Sequence, residues 1–104
     1  MRHINLGPAA NMPVNTVRQI VLDQCPAIAL YRLADGFYAS DDVCTHGDAS
    51  LAEGEIEYDE IVCPFHLGRF DIRTGQPSAA PCVTAIITYA VTVTADGDLM
   101  LELP

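Results

Sequence analysis

The sequence predicts an all-β fold, in which antiparallel strands form a sandwich or barrel-like domain. Short segments rich in β-branched residues recur along the chain, and turn residues separate them. Residues 88–94 (TYAVTVT) alternate strictly, with Tyr89, Val91 and Val93 on one face. We find no window with a convincing helical period. A chain of 104 residues has room for one small domain, and we expect it to span residues 1–104.

The first predicted strands lie in the N-terminal half of the chain. Residues 16–22 (TVRQIVL) have strand composition. Residues 28–33 and 37–40 flank an Ala-Asp-Gly sequence, which predicts a β-hairpin with its turn at Asp35-Gly36. Three of the expected strands are therefore consecutive along the chain.

The remaining predicted strands follow in the second half. Residues 56–62 are expected to hold a pair of strands, and residues 70–72 lead into a turn at Thr74-Gly75. After the alternating segment 88–94, the sequence Ala-Asp-Gly-Asp predicts a turn into a last strand over residues 99–103. Two stretches do not fit a plain β-domain: residues 44–55 are acidic and loop-like, and residues 63–70 combine Cys, Pro, His and Gly.

Composition excludes several classes of function. The chain has five basic residues, all Arg, against fourteen acidic residues, for a formal net charge of −9. Such a charge argues against nucleic-acid binding, which depends on Lys and Arg. Half of the residues are hydrophobic, but no apolar run approaches the ~20 residues that a membrane span needs. The first residues lack the apolar stretch of a signal peptide, so we expect a cytoplasmic protein.

Two short loops contain the residues with the chemistry to bind a metal. The first reads Cys44-Thr-His46-Gly-Asp, and the second reads Cys63-Pro-Phe-His66-Leu-Gly. Each loop supplies one soft thiolate and one imidazole, so all four side chains can converge on one metal centre. A Cys₂His₂ zinc-binding interaction module is the alternative. It is less favoured because structural zinc sites usually begin with two closely spaced cysteines.

The motif and its surroundings resemble the Rieske-type ferredoxins that serve bacterial aromatic-ring dioxygenases. The resemblance is carried by residues 44–55 (CTHGDASLAEGE) and 63–81 (CPFHLGRFDIRTGQPSAAP), and it extends over nearly the whole chain. It implies an all-β domain with the cluster-binding loops, at about residues 43–81, forming its tip. It also implies one [2Fe–2S] cluster per chain, with Cys44 and Cys63 on one iron and His46 and His66 on the other.

The same resemblance implies a function and partners. The chain would carry single electrons from an NAD(P)H-dependent reductase containing FAD to a terminal oxygenase. It would have no catalytic activity by itself, and we expect a monomer. A catalytic oxygenase is excluded because a non-haem iron site needs two further histidines and a carboxylate. Once His46 and His66 are assigned, His3 alone remains.

The resemblance also bears on the reduction potential. High-potential Rieske proteins carry an extra cysteine in each loop, and Ala49 and Phe65 stand at those positions here. They also donate Ser and Tyr hydroxyl groups to the cluster sulfurs, where this chain has Gly68 and Phe70. Fewer donors stabilise the reduced cluster less, so we expect a potential of about −150 mV, at the low end for such centres.

Other residues have simpler expected roles. Cys25 and Cys82 are interpreted as small residues that are buried or partly buried. Arg69 and Arg73 are expected to form local salt bridges, and His3 to be a disordered surface residue. Residues 76–81 resemble the proline-containing loop that shields the cluster, with a plain connector as the alternative. Residues 41–60 contain eight acids, which form either a solvated face or a docking surface for basic partners.

Overall fold

The computed structural model describes residues 2–23, 25–45, 49–64, 67–80, 82 and 84–104. Eleven strands are present in this part of the chain: β1 (Arg2–Pro8), β2 (Thr16–Ile20), β3 (Ile28–Leu33), β4 (Gly36–Asp41), β5 (Glu55–Glu57), β6 (Glu60–Val62), β7 (Arg69–Asp71), β8 (Pro77–Ala79), β9 (Thr88–Tyr89), β10 (Val91–Val93) and β11 (Asp98–Leu103). Helical structure in the described residues is limited to 3₁₀ turns at Ala9–Asn11 and Leu51–Glu53. The helices of the described residues are all too short or too polar to cross a membrane.

The strands form three antiparallel sheets. The first has the order β1-β11-β10, the second β2-β3-β4-β9, and the third β5-β6-β7-β8. The third sheet is a meander of very short strands, and both predicted metal-binding loops border it: the first loop precedes β5, and the second connects β6 to β7. The prediction of an all-β antiparallel fold is confirmed.

The predicted N-terminal hairpin is present, but its turn lies one residue earlier than expected. Leu33 pairs directly with Gly36, so the two loop residues are Ala34 and Asp35. Gly36 belongs to the strand because its backbone continues the β3–β4 register. The predicted strand pair at residues 56–62 is also present, as β5 and β6. Tyr58 and Asp59 form its turn with φ of 52° and 62°, the left-handed geometry of a type I′ hairpin.

The prediction of one continuous strand over residues 88–94 is wrong. The segment divides at Ala90 into two strands that belong to different sheets. β9 pairs with β4, whereas β10 pairs with β11. A regular polar–apolar alternation describes a strand with one buried face, and it does not report which neighbour supplies the hydrogen bonds. The alternation also overstated burial, since Val93 is 51% exposed.

Strands β1 and β8 are present although neither was predicted from the sequence. His3 lies in β1 opposite Glu102 of β11, and its Nε2 is 3.3 Å from the Glu102 carboxylate. It is a surface residue as expected, but the interpretation as disordered is wrong because β1 is paired with β11. β8 occupies the proline-containing segment and pairs with β7 through Phe70 and Arg69. Pro77 is compatible with this position because β8 is the edge strand of its sheet.

The hydrophobic core closest to the predicted loops lies where the second and third sheets meet. Its buried members are Ala29, Tyr31, Leu33, Cys44, Leu51, Ile61, Cys63, Phe70, Ile72, Cys82 and Ile86. A separate buried cluster joins the first and second sheets through residues such as Ile28 and Leu101. Three cysteines thus belong to the core that borders the loops, while Cys25 is half-buried against the other one.

Candidate metal centre

Cys44 lies at the base of the first loop, where a short antiparallel bridge closes the chain on itself. Val43 pairs with Ser50, and the backbone N–H of Cys44 donates to the carbonyl of Ala49 at 3.0 Å. The side chain of Cys44 is only 2% exposed. The thiol is therefore directed into the core, and the loop beyond it begins at Thr45, which is exposed.

Cys63 has the same relation to the second loop. It directly follows β6, and its N–H donates to the carbonyl of Gly68 at 2.7 Å. Cys63 is completely buried, whereas Pro64 and Leu67 on the loop are exposed. Leu67 has φ of 59°, a left-handed conformation that is unfavourable for a branched side chain. The tight loop closure below Leu67 maintains this conformation.

The structure brings Cys44 and Cys63 into one buried cluster, in which Phe70 and Leu51 also take part. Two thiol groups that border the same apolar cluster suit a soft metal, because thiolate ligands select such ions and iron–sulfur clusters. The other two predicted ligands, His46 and His66, lie outside the described residues. Within the described part of the chain, no group of three or more His, Cys, Asp or Glu is arranged to hold a metal ion.

Cys82 lies in the same buried cluster as Cys44 and Cys63, although the sequence pattern did not link it to them. It is buried as expected, at 4% exposure. Burial is the main cause that raises the pKa of Cys82 to about 12, and the neighbouring cysteines add to the effect. A sequence signal existed, because Cys82 directly follows the segment that resembles a cluster-shielding loop.

The segment around Cys82 is attached to the first loop. The Thr45 hydroxyl donates to the carbonyl of Thr84 at 2.6 Å, and the N–H of Cys82 donates to the carbonyl of Ala79 at 3.2 Å. Gly75 supports the approach of this segment, since its φ is +78° and it accepts a hydrogen bond from Ile86 N–H at 2.9 Å. Thr84 is therefore attached directly to the first loop, and Ala79 to Cys82. Pro81 falls outside the described residues.

The buried carboxylate of Asp42, two residues before Cys44, connects three parts of the chain next to the first loop. Asp42 is 2% exposed, and its Oδ2 accepts from Gln19 Nε2 at 2.8 Å and from Ser50 Oγ at 2.6 Å. Its Oδ1 accepts from the backbone N–H of Ala52 at 2.9 Å. Asp42 thus links β2, the loop closure and the 3₁₀ turn at Leu51–Glu53. In the sequence, Asp42 is only one of eight acids in residues 41–60.

We expect Asp42→Ala to destabilise the protein strongly. Three donors would lose their acceptor in a buried setting, at a cost of about 3 kcal/mol in the free energy of unfolding. The thermal unfolding midpoint of the cluster-loaded protein should fall by roughly 10 °C or more. The control is Asp96→Ala, which removes the same charge from an exposed turn and should change the midpoint little. Equal midpoints for the two variants would contradict this role for Asp42.

Other acids in residues 41–60 pair with the two arginines that were expected to form local salt bridges. The guanidinium of Arg69 lies 3.0 Å from the carboxylate of Glu57 and 3.5 Å from that of Glu60. The guanidinium of Arg73 lies 3.1 Å from the carboxylate of Asp59 and also 3.0 Å from that of Asp35, which precedes the segment. The hydrogen bond from Arg73 holds the pKa of Asp35 below its ordinary value. These salt bridges, together with the buried Asp42, reduce the charge that the segment can present to a partner. Glu53 and Glu55 remain exposed.

Comparison with known proteins identifies the family. The family model for the Rieske [2Fe–2S] domain matches residues 3–90. The chain is 42% identical over 85 residues to Ferredoxin CarAc from Metapseudomonas resinovorans. The aligned region covers 82% of this chain and 79% of that protein. It is 38% identical over 105 residues to the 3-phenylpropionate/cinnamic acid dioxygenase ferredoxin subunit of Escherichia coli K12, covering 100% and 96% of the two chains.

A solved structure agrees with both relatives. The chain resembles one in the complex of reduced oxygenase and oxidised ferredoxin in carbazole 1,9a-dioxygenase, with a TM-score of 0.91 and 36% identity over 98% of this chain and 97% of that chain. The alternative of a zinc-binding interaction module has no support in these matches. The chain therefore belongs to the Rieske [2Fe–2S] family, and it is a ferredoxin, a one-electron carrier with a [2Fe–2S] cluster that performs no substrate chemistry on its own.

Proposed function

We propose that this ferredoxin passes single electrons from an NAD(P)H-dependent flavoprotein reductase to the terminal oxygenase of an aromatic-ring dioxygenase system. The observation that carries the proposal is the buried pair Cys44 and Cys63, held at the bases of two adjoining loops in a chain of this family. The relatives named as ferredoxins of dioxygenases support the choice of partner. The aromatic substrate belongs to the oxygenase, because the ferredoxin transfers electrons only.

The proposed ligands are Cys44 and Cys63 for one iron and His46 and His66 for the other. When bound, the [2Fe–2S] cluster supplies a site that accepts and releases one electron. Cys44 and Cys63 support this assignment because both are buried, and the backbone hydrogen bonds at the two loop bases fix them in place. The apolar core around the two thiolates excludes water from one side of the site. Limited access of water favours a stable cluster with a defined potential.

The proposed potential is low for a Rieske centre, about −150 mV. Phe70 supports this value. It is fully buried in the same core cluster as Cys63, so a ring without a hydroxyl group fills a position where high-potential relatives have a donor. A potential in this range suits a carrier between a reduced flavin and an oxygenase.

The proposed docking surface lies beside the second loop. A groove of about 340 Å³ is lined by Gly54, Glu55, Glu57, Val62, Pro64 and Leu67. Leu67 is 69% exposed and Glu55 is exposed at the rim. An apolar side chain with carboxylates around it suits a partner that has an apolar contact ringed by basic residues. The net charge of −9 would attract such a partner over a distance.

Reconstitution with separate components tests the function. The ferredoxin, reduced by a flavoprotein reductase and NAD(P)H, is mixed with oxidised oxygenase in a stopped-flow instrument. The carbazole and 3-phenylpropionate dioxygenase components are the first choices. We expect reoxidation of the ferredoxin and ferredoxin-dependent hydroxylation by at least one oxygenase. The second-order rate should fall as ionic strength rises, because salt screens the attraction between opposite charges.

Two outcomes would contradict this proposal. A ferredoxin that accepts electrons from the reductase but is reoxidised by no aromatic-ring oxygenase would overturn the choice of acceptor. A rate that is independent of ionic strength would instead assign the exposed acids to a solvated face. We further propose a monomeric, cytoplasmic protein that acts as one Rieske domain over residues 1–104, and sedimentation of the loaded protein tests the monomer.

A further inference from the structure

An exposed apolar face lies where the second sheet meets the first loop, and the proposed function gives it no role. Val43 is 48% exposed and Ile87 is 61% exposed, and Ala85 is exposed as well. We refer to these three residues as the apolar face. Single exposed apolar side chains are ordinary on a protein surface, whereas a contiguous patch marks a surface that contacts another molecule.

The pairing of β4 with β9 places the three side chains on one side of the sheet. Directly opposite residues of an antiparallel pair share a face, and so do alternate residues along each strand. The β4–β9 register, extended toward the first loop, sets Val43 opposite Ala85. The residues between the exposed positions, Asp42 and Ile86, are buried at 2% and 4% exposure, as the alternation requires. The apolar face is therefore a continuous surface.

The apolar face adjoins the candidate metal centre. Val43 directly precedes Cys44 at the base of the first loop. Ala85 follows Thr84, whose carbonyl accepts a hydrogen bond from the Thr45 hydroxyl at 2.6 Å. Both strands of the face are thus attached to the first loop. A partner that covers the face would lie beside this loop, as electron transfer to the cluster requires.

Two grooves extend the apolar face away from the loop. The first has a volume of about 260 Å³, and Ile87, Tyr89 and Leu103 are among the residues that line it. The second also has a volume of about 260 Å³, and it shares Tyr89 and Leu103 with the first. Arg2 lines the second groove, is exposed, and forms no ion pair with another described residue. The surface therefore continues from the first loop to an unpaired guanidinium.

The charges around this surface differ from those around the groove beside the second loop. Asp41 accepts a hydrogen bond from the Tyr89 hydroxyl at 2.6 Å, and the Glu102 carboxylate lies 3.3 Å from His3 Nε2. Both carboxylates near the apolar face are thus engaged within the protein, and the free charge is that of Arg2. Because complementary charges select partners, this surface suits a partner with an apolar contact and a carboxylate at its edge.

We propose that the apolar face of Val43, Ala85 and Ile87 is the docking surface for the flavoprotein reductase. This assignment rests on the proposed function, in which two different partners must reach one cluster. The groove beside the second loop, with its exposed carboxylates, matches the oxygenase, whose reaction we expect to depend on salt. The reductase then takes the surface that lacks free carboxylates. The two surfaces have no lining residue in common, so each can be altered separately.

Substitutions at exposed positions of the cluster-loaded protein test the assignment. Ile87→Glu places a carboxylate in the apolar face, and Ala85→Glu does so at a second position, which decides if Ile87→Glu fails to retain its cluster. Leu67→Glu is the matched change in the groove beside the second loop. Val93→Glu is the control, since Val93 is 51% exposed on β10 and lines neither surface. Calorimetric titration without NAD(P)H measures the Kd for the reductase and for the oxygenase of the reconstituted system.

We expect Ile87→Glu and Ala85→Glu to raise the Kd for the reductase about tenfold or more, because the new carboxylate would lose water in an apolar contact. The Kd for the oxygenase should not change in these variants. Leu67→Glu should give the reverse pattern, and Val93→Glu should match the unsubstituted protein. In stopped-flow measurements, reduction by the reductase should depend less on ionic strength than reoxidation by the oxygenase does.

Specific results would overturn the assignment. Unchanged reductase binding in Ile87→Glu and Ala85→Glu would exclude the apolar face as the reductase site. Weaker oxygenase binding in these variants would give the face to the oxygenase, and weaker reductase binding in Leu67→Glu would indicate one shared surface. A dimer of the unsubstituted protein that Ile87→Glu converts to a monomer would give the face to a second copy. Failure of the proposed function is distinct, because the unsubstituted protein would then not be reduced by the reductase at all.

Discussion

Replacing one proposed ligand histidine by cysteine, as His46→Cys or His66→Cys, is expected to abolish the Rieske spectrum. An additional thiolate makes the cluster more negative, so it becomes harder to reduce. A plant-type Cys₄ centre has a potential of about −400 mV, whereas Rieske centres have potentials of about −150 to +300 mV. Optical and EPR spectra of the dithionite-reduced protein, with voltammetry, measure the change. An unchanged Rieske spectrum in either variant would refute the histidine assignment.

Alanine at a proposed ligand cysteine provides the complementary test. Cys63→Ala removes a fully buried sulfur, so the purified protein should hold little or no iron and lose its colour. The matched control is Cys25→Ala, because Cys25 lies in the separate buried cluster. It should retain both colour and iron content. Loss of the cluster from the Cys25 variant as well would indicate that general destabilisation accounts for the loss.

Gly54→Ala is expected to be among the most destabilising single substitutions in this chain. Gly54 precedes β5, and its backbone lies directly against the carbonyl oxygen of Val62, the residue before Cys63. A Cβ atom at Gly54 would overlap that oxygen far inside contact distance and would also crowd the carbonyl of Leu51. Both obstacles are backbone atoms, which cannot rotate away. We expect a loss of about 4 kcal/mol or more in unfolding free energy and a poor yield of loaded protein.

Gly97→Ala is the control for this prediction, because it separates steric overlap from backbone conformation. Gly54 has ordinary φ and ψ of −84° and −167°, so alanine tolerates its conformation. Gly97 has φ of +86°, but a Cβ there would meet open space. The Gly97 variant should lose only about 1 kcal/mol. Thermal unfolding of the two cluster-loaded variants measures the loss of stability in each. A smaller loss in Gly54→Ala than in Gly97→Ala would contradict the close backbone contact at Gly54.

Local sequence patterns predicted most of the strands because these patterns report burial on one face. The segment of β11 is an example, since its buried leucines alternate with half-buried residues, whereas β3 is apolar and buried along nearly its whole length. The turns were harder to predict. Tyr58-Asp59 lacks the glycine or asparagine that normally marks a left-handed hairpin turn, and its conformation follows from the β5–β6 pairing. β1 and β8 gave weak signals because each depends on a partner strand already in place.

The candidate centre was predictable in part for the same reason. The spacing of Cys and His within each loop is a local property, and the structure places both cysteines in one buried cluster. The histidines lie outside the described residues, so their role stays a prediction. The hydrogen bonds of Asp42 and the burial of Cys82 beside the predicted ligands had no local pattern in the sequence. Asp42 depends on Gln19 and Ser50, and Cys82 shares a buried cluster with Cys44 and Cys63.

By itself, the sequence determined the all-β class, the hairpins and the two loops with their ligand residue types. These features arise from residue periodicity and from spacings of a few residues, which act before the chain folds. The tertiary structure alone decided the division of residues 88–94 between two sheets, the contact of Gly54 with Val62, and the placement of Cys82 in the same buried cluster as Cys44. Each of these depends on surfaces that meet only when the sheets pack, so no local pattern in the sequence encodes them.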